Sequence, residues 1–418
     1  MIHADAKFPK RFLWGAATSA HQVEGGNHNQ WTVWELENAR VLATQAEYQY
    51  SELPVWPRIK DIARHPANYV SGMASDHYRR YREDFDIVQR LHMNAFRFSV
   101  EWSRIEPEEG EWNSDAIEHY RNYIAELKKR EIEPVMTLFH FSLPVWFSQR
   151  GGFEKRSNVR YFERFAEKIV SEIGGSVRYI ITINEPEVYA TQSYLEGRWP
   201  PARQSRYKMW RVLNNLAYAH KLAAAAVRDL GGTHKVSVAK NSSYVYAGDD
   251  SLLSRLSTSV LQFILDDYFL KKVVKHCDFL GVNYYFSNRV YGYRVHNQNE
   301  RLSDLGWDLA PVNLQFALER LHEKYGLPLL ITENGIADMN DEQRKWWIAQ
   351  TLVAMKMALQ RGVRVIGYLH WSLLDNFEWA YGKWPRFGLV HVNYRTQERT
   401  IRPSARWFAT IIKKLRTE

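Results

Sequence analysis

The chain reads as an α/β protein folded as a single-domain (β/α)8 TIM barrel spanning residues 1–418, and three observations support this. Short apolar runs recur about eight times. Amphipathic helical patterns separate them, and no linker, low-complexity tract or repeat breaks the series. Apolar runs without in/out alternation are what parallel strands covered on both faces require. Strand and helix in strict alternation then favour a closed barrel. A doubly wound open sheet is the alternative, weakened because no G-x-G-x-x-G follows the first strand.

The strands are expected at 12–20, 95–100, 134–140, 179–185, 235–240, 278–285, 328–334 and 363–372. Between the first two, Ser75 reads as an N-cap, with Tyr78, Tyr81, Phe85, Val88 and Leu91 at helical spacing. A second helix is expected from Ser157, with Phe162, Phe165, Ile169 and Ile173 on one stripe, stopped by Gly174-Gly175. A third is expected in 341–362, closed by Gly362.

Composition narrows the class. The 418 residues are 45% hydrophobic and 25% charged, enough for a large core. No apolar run approaches the roughly 18 residues a membrane span needs, and "MIHADAKFPKRFLWG" lacks the apolar stretch of a signal peptide. Cys277 is the only cysteine, so no internal disulfide forms and a reducing, cytoplasmic setting is expected. The net charge is +9, but basic residues are interspersed with acids, as in "HYRRYREDF", the pattern of solvated helix faces. Neither nucleic acid nor membrane is therefore expected as a partner, and oligomeric state is not legible. Aromatics reach 14%, suiting ligands part apolar and part hydroxylated, such as sugars.

In a barrel of this kind the active site gathers at the C-terminal strand ends. Here those ends are polar: Gln22 and Glu24, Arg97, His140, Asn184 and Glu185, Asn283 with Tyr284 and Tyr285, Glu333 and Asn334, His370 and Trp371. A charge at a buried strand end is costly unless paired or used. Glu185 and Glu333, on the fourth and seventh strands, are expected to face each other across the barrel. Two facing carboxylates are what glycosidic cleavage needs, one to protonate the leaving oxygen and one to meet the oxocarbenium-like carbon. Arg97 can keep one of them ionised while the other retains its proton. Tyr285 can donate to the ionised member and Asn184 to a sugar hydroxyl. A metal-dependent barrel enzyme would want acids on neighbouring strands plus a Lys or His base. A binding protein without catalysis is the other alternative. His21, His28 and His119 lack metal-ligand spacing, so neither metal nor cofactor is expected. Trp31, Trp34, Trp102 and Trp146 read as packing residues, and Cys277 as inert.

The segments "TINEPEVY" and "LLITENGIAD" resemble the acid/base and nucleophile motifs of glycoside hydrolase family 1. "FLWGAATSAHQVEG", "FRFSVEWSRIEP", "DFLGVNYY" and "WSLLDNFEWAYGKWPRFGLV" resemble its other signatures, in family order along nearly the whole chain. The resemblance implies Glu185 as acid/base and Glu333 as nucleophile of a retaining exo-β-glycosidase that acts by double displacement through a glycosyl-enzyme intermediate. It implies glycone binding by Gln22, His140, Asn184, Glu378 and Trp379, a Trp371 platform under the sugar, and an aglycone-side Trp307 in "LGWDLAP". Glu378 implies a non-phosphorylated glycone, because members acting on 6-phosphorylated sugars generally lack that glutamate. A small β-glucoside is the first expectation for the substrate, with galactoside, fucoside and mannoside as alternatives. Two departures stand out. The family run His-Trp-Asp-Leu-Pro is here His140-Phe141-Ser142-Leu143-Pro144, which removes an indole N–H. After Glu378, "WAYGKWPRF" replaces the usual run, leaving Phe387 unassigned. The chain is also short for the family, implying trimmed loops and a more open aglycone side.

Overall fold

A computed structural model of the protein describes residues 7–298 and 300–417. Eight parallel strands close into a barrel: β1 Leu13–Ala17, β2 Ala95–Ser99, β3 Glu133–Phe139, β4 Tyr179–Asn184, β5 Lys235–Asn241, β6 Leu280–Asn283, β7 Leu329–Asn334 and β8 Val365–Trp371. Each neighbours the next in sequence, and β1 closes the ring by pairing with both β2 and β8. Every expected strand is present. The first and sixth are shorter than read, because residues 18–20 and 284–285 leave the ladder to build the mouth above it.

Helices wrap the outside: α1 Gln30–Tyr50, α2 His77–Arg90, α3 Ser114–Lys129, α4 Val159–Ile173, α5 Arg206–Asp229, α6 Leu252–Gln262, α7 Leu314–Tyr325, α8 Arg344–Gln360 and α9 Pro403–Thr417. On α4 the stripe Phe162, Phe165, Ile169 and Ile173 is buried as its spacing demands, and Gly174 ends the helix. Strand residues alternate. Phe96 and Phe98 pack with the helices, while Ala95, Val135, Ile181, Leu330 and Leu369 form a second cluster inside the barrel.

Two helix starts differ from the sequence reading. Ser75 does not cap α2. Its hydroxyl donates to the Asp375 carbonyl at 2.6 Å, and Asp76, in a left-handed conformation, takes the cap position. Ser157 lies in a 3-10 turn, Arg156–Asn158, and α4 starts after it. The helix expected in 341–362 starts at Arg344, where the Asp338 carboxylate accepts from the Gln343 and Arg344 amides at 2.8 and 2.9 Å. Among the described residues no helix is long and apolar enough to cross a membrane.

Candidate active site

A cavity of about 250 Å³ opens at the C-terminal ends of the strands. Of the expected site residues, Gln22, His140, Glu185, Tyr285, Trp307, Glu333, Trp371, Glu378 and Trp379 line it. Arg97 and Asn184 are fully buried and stand behind the lining. β4 and β7 are separated by β5 and β6, so Glu185 and Glu333 approach from three steps around the ring rather than from diametrically opposed strands.

Both of these strands lose regular register just before their glutamate, β4 between Ile181 and Asn184 and β7 between Ile331 and Glu333. Such irregularities re-aim the side chains that follow. Glu185 itself adopts φ +39°, a left-handed conformation that turns the chain into Pro186.

Glu333 is gripped at both oxygens. Arg97 Nη1 donates to Oε1 at 2.6 Å, and the Tyr285 hydroxyl donates to Oε2 at 2.7 Å. Burial raises its pKa, while Arg97 and then Tyr285 act against burial by favouring the anion. Arg97 is held in turn by Thr137 Oγ1 at 3.0 Å and Asn184 Oδ1 at 2.7 Å. Among the described residues, Glu185 receives one side-chain donor, Asn283 Nδ2 at 2.9 Å to Oε1. Burial first, then the Glu333 and Glu187 charges, push its pKa well above the usual carboxylate range. Of the two coupled groups, Glu185 is the one that keeps the proton, because the cation and the phenol sit on Glu333.

The remaining walls are polar on one side and aromatic on the others. Gln22 Nε2 donates to Glu378 Oε2 at 3.2 Å and to the Phe377 carbonyl at 2.9 Å, and Asn376 Nδ2 donates to the same Glu378 oxygen at 2.7 Å. The Glu378 carboxyl is pushed up to about 8, by burial first, with the Glu333 charge adding and these hydrogen bonds opposing. His140 stacks near Trp371 and Trp379, with ring centroids 5.8 and 6.2 Å away. Burial, with the Arg97 charge adding to it, holds the imidazole neutral. Asn184 Oδ1 is occupied by Arg97 and Asn283, so its Nδ2 donates to His140 Nε2 at 3.1 Å and the imidazole proton sits on Nδ1. Trp307 packs edge-on to Tyr285 at 5.6 Å, and Phe387 lies beside it in the lining.

The chain as a whole is similar to known proteins. The family model described as glycosyl hydrolase family 1 matches residues 4–276 and 260–416. The chain belongs to glycosyl hydrolase family 1. It is therefore a glycosidase by family. "Beta-glucosidase A" of Acetivibrio thermocellus is 30% identical over 463 aligned positions, covering 97% of this chain and 98% of that protein. "Beta-glucosidase A" of Thermotoga maritima is 29% identical over 457, with the same coverage of the two chains. Among solved structures, the "beta-glycosidase from Pyrococcus horikoshii" superposes with a TM-score of 0.86 at 35% identity, over 98% of this chain and 95% of that one.

Several strand-end residues expected at the mouth of this family 1 glycosidase are used elsewhere. Glu24 pairs with Arg104 at 2.9 Å and accepts from the Tyr120 hydroxyl at 2.7 Å. Asn334 accepts from Trp347 Nε1 at 2.9 Å, Tyr284 donates to the Ala310 carbonyl at 2.6 Å, and His370 accepts from or donates to the Tyr368 hydroxyl at 2.9 Å. Glu24 and Asn334 thereby tie the barrel to α3 and α8, Tyr284 anchors the loop at Ala310, and His370 pairs within its own strand. His21 pairs with Glu35 at 2.8 Å, His119 stacks on Tyr78 and His28 is exposed. Trp31, Trp102 and Trp146 are buried packing residues, and Trp34 is partly buried against the same core. Among the described residues, no group of three or more His, Cys, Asp or Glu is placed to hold a metal.

Sequence reading missed Asn283 as the partner of Glu185, although its place at a strand end marked it. It also missed Val188, Gln192, Arg198, Trp199, Asn241, Phe286 and Tyr381 in the lining. Apart from Asn241 at the end of β5, these come from the segments beyond the strands, which carry no periodic signal.

Proposed function

We propose that the protein is a retaining β-glucosidase that removes terminal, non-phosphorylated β-D-glucosyl groups from small glycosides. The observation that carries the reading is the unequal treatment of two carboxylates in one cavity. Glu333 is bound by Arg97 and Tyr285 as an anion, while Glu185 is buried with a single amide donor and keeps its proton. Glu333 attacks the anomeric carbon and the exocyclic C–O bond breaks as the Glu185 proton passes to the leaving oxygen. Water then gives a proton to Glu185, attacks the same carbon and releases Glu333. Gln22 and Glu378 supply hydrogen bonds to glycone hydroxyls above the Trp371 ring. The names of the curated relatives support glucose as the glycone. Glu378 is an acidic group, so it offers a 6-phosphate no positive charge, which supports a neutral sugar. The activity is assigned to one catalytic domain over residues 1–418, in a cytoplasmic setting that fits the lone Cys277.

The test uses aryl β-D-glycosides of glucose, galactose, fucose and mannose. Glu333→Ala is expected to abolish turnover, with azide restoring it and yielding an α-glycosyl azide. Glu185→Ala is expected to lose about 10²–10⁴-fold on poor leaving groups and much less on activated ones. Turnover by both variants at the wild-type rate would refute the assignment, and a preference for another glycone would refute the glucose specificity alone.

A further inference from the structure

β5 ends on a buried cation. Lys240 is 1% exposed, and a buried ammonium is costly unless it is fully paired. Its Nζ donates to the Asn241 carbonyl at 2.7 Å and lies 2.7 Å from Glu187 Oε1 and 3.3 Å from Asp266 Oδ1. Three acceptors match its three protons. Asp266 sits in a π-helical turn that continues α6, and its other oxygen is held by Gln262 Nε2 at 2.8 Å and by Arg320 of α7.

Glu187 joins this network to the site, because it stands two residues beyond Glu185, across Pro186. The β4–β5 ladder stops at Asn184 and Ala239. Above it, the Glu185 amide donates to the Ala239 carbonyl at 2.8 Å, and Glu187 Oε1 accepts from the Asn241 amide at 3.0 Å. Glu185 is left-handed and Pro186 has no N–H, so the backbone ladder cannot continue and a carboxylate takes the place of a carbonyl. A single Glu187 oxygen thus ties the turn after Glu185 to two groups at the end of β5, the Lys240 ammonium and the Asn241 amide. Asn241 lines the catalytic cavity and Lys240 does not.

We propose that Lys240 and Glu187 are a positioning pair for the proton donor: they lock the Glu185 turn against the end of β5, so that the Glu185 carboxyl is held at the leaving oxygen. This inference rests on the glycosidase reading above. The pair also balances charge around the donor. Glu185 is faced by Glu333 from β7, Tyr285 beyond β6, Glu187 beyond β4 and Lys240 from β5, with Asp266 and Arg320 behind Lys240. After burial and Glu333, the Glu187 anion raises the Glu185 pKa, and Lys240 opposes it. Removing either member alone unbalances that field.

The experiment measures kcat/KM against pH on methyl β-D-glucoside, whose leaving group needs a proton, and on 2,4-dinitrophenyl β-D-glucoside, whose leaving group does not. Glu187→Gln keeps an acceptor for the Asn241 amide but leaves Lys240 unmatched there. Its basic limb on the methyl glucoside, set by Glu185, is expected to fall by about one pH unit, while the acidic limb, set by Glu333, stays. Lys240→Met is expected to lose about 10- to 100-fold on the methyl glucoside and less than about threefold on the dinitrophenyl one. The double variant Glu187→Gln/Lys240→Met buries no charge, so it tests the same selective loss should Lys240→Met alone fail to fold. Lys324→Met, at the far end of the network against Asp267, should keep the wild-type profile on both. Thermal melts establish that each variant is folded. Equal losses on the two glucosides, or limbs that stay or move together, overturn the positioning role while leaving the glycosidase reading intact. Absence of wild-type turnover on both glucosides overturns that reading and the inference with it.

Discussion

At the scale of single residues, the proposed mechanism rests on two chemically identical side chains that have different neighbours. Arg97 and Tyr285 serve the anion of Glu333, and nothing comparable serves Glu185. The consequence is a pH dependence with a definite sign. On the proposed mechanism, activity requires Glu333 ionised and Glu185 protonated, so it is expected to fall at low pH through the first and at high pH through the second. Tyr285→Phe removes a donor to the anion, which raises the Glu333 pKa and leaves the protonated, inactive form populated to higher pH. The acidic limb of kcat/KM is therefore expected to shift upward, with kcat reduced, and an unmoved limb would show that the phenol does not bear on the charge. The chemistry of these residues was legible beforehand, since Glu, Arg and Tyr at strand ends have few bland uses. The unpartnered Nδ1–H of His140 was not, because it follows from the two partners of Asn184.

At the scale of elements, strand positions were readable and helix starts were not. Apolar runs mark buried parallel strands whatever follows them. A capping serine is only a local preference, and Ser75 is spent instead on the Asp375 carbonyl 300 residues away. The register breaks in β4 and β7 leave no trace in sequence, yet they aim both glutamates. Gly335, next to the end of β7, shows how close that packing is. A Cβ there would lie 1.7 Å from the Trp371 carbonyl oxygen at the end of β8. Gly335→Ala must therefore push the β7 end away from Trp371. The expected cost is about 10²-fold in kcat/KM with a preserved fold, measured by steady-state kinetics beside circular dichroism.

At the scale of the whole molecule, the single cysteine becomes a reporter. Cys277 is buried at the start of the approach to β6, its thiol pushed up to about 12 by burial. His220 is the near base, at 3.5 Å, and burial holds it down at about 3, so it cannot activate the thiol. An aromatic disulfide reagent is expected to leave the folded protein unmodified and to react with one thiol per chain when urea unfolds it. Rapid modification of native protein would contradict this. The same scale explains the alignments. They run 457 and 463 positions against a 418-residue chain while covering nearly all of it, so the relatives carry residues that this chain lacks. That agrees with the expectation of trimmed loops.

The sequence alone determined the number and order of the strands, because burial on both faces dictates their composition. It also narrowed the candidates for chemistry to the polar side chains at the strand ends, because a buried ionisable group beside an apolar strand is costly unless paired or used. Only the tertiary structure decided which of those polar residues point inward. Glu24, Tyr284, Asn334 and His370 share the strand-end signature of Glu185 and Glu333 but bind the scaffold. Direction depends on register breaks and backbone handedness, set by contacts between strands far apart in the chain, and no local run of residues encodes them.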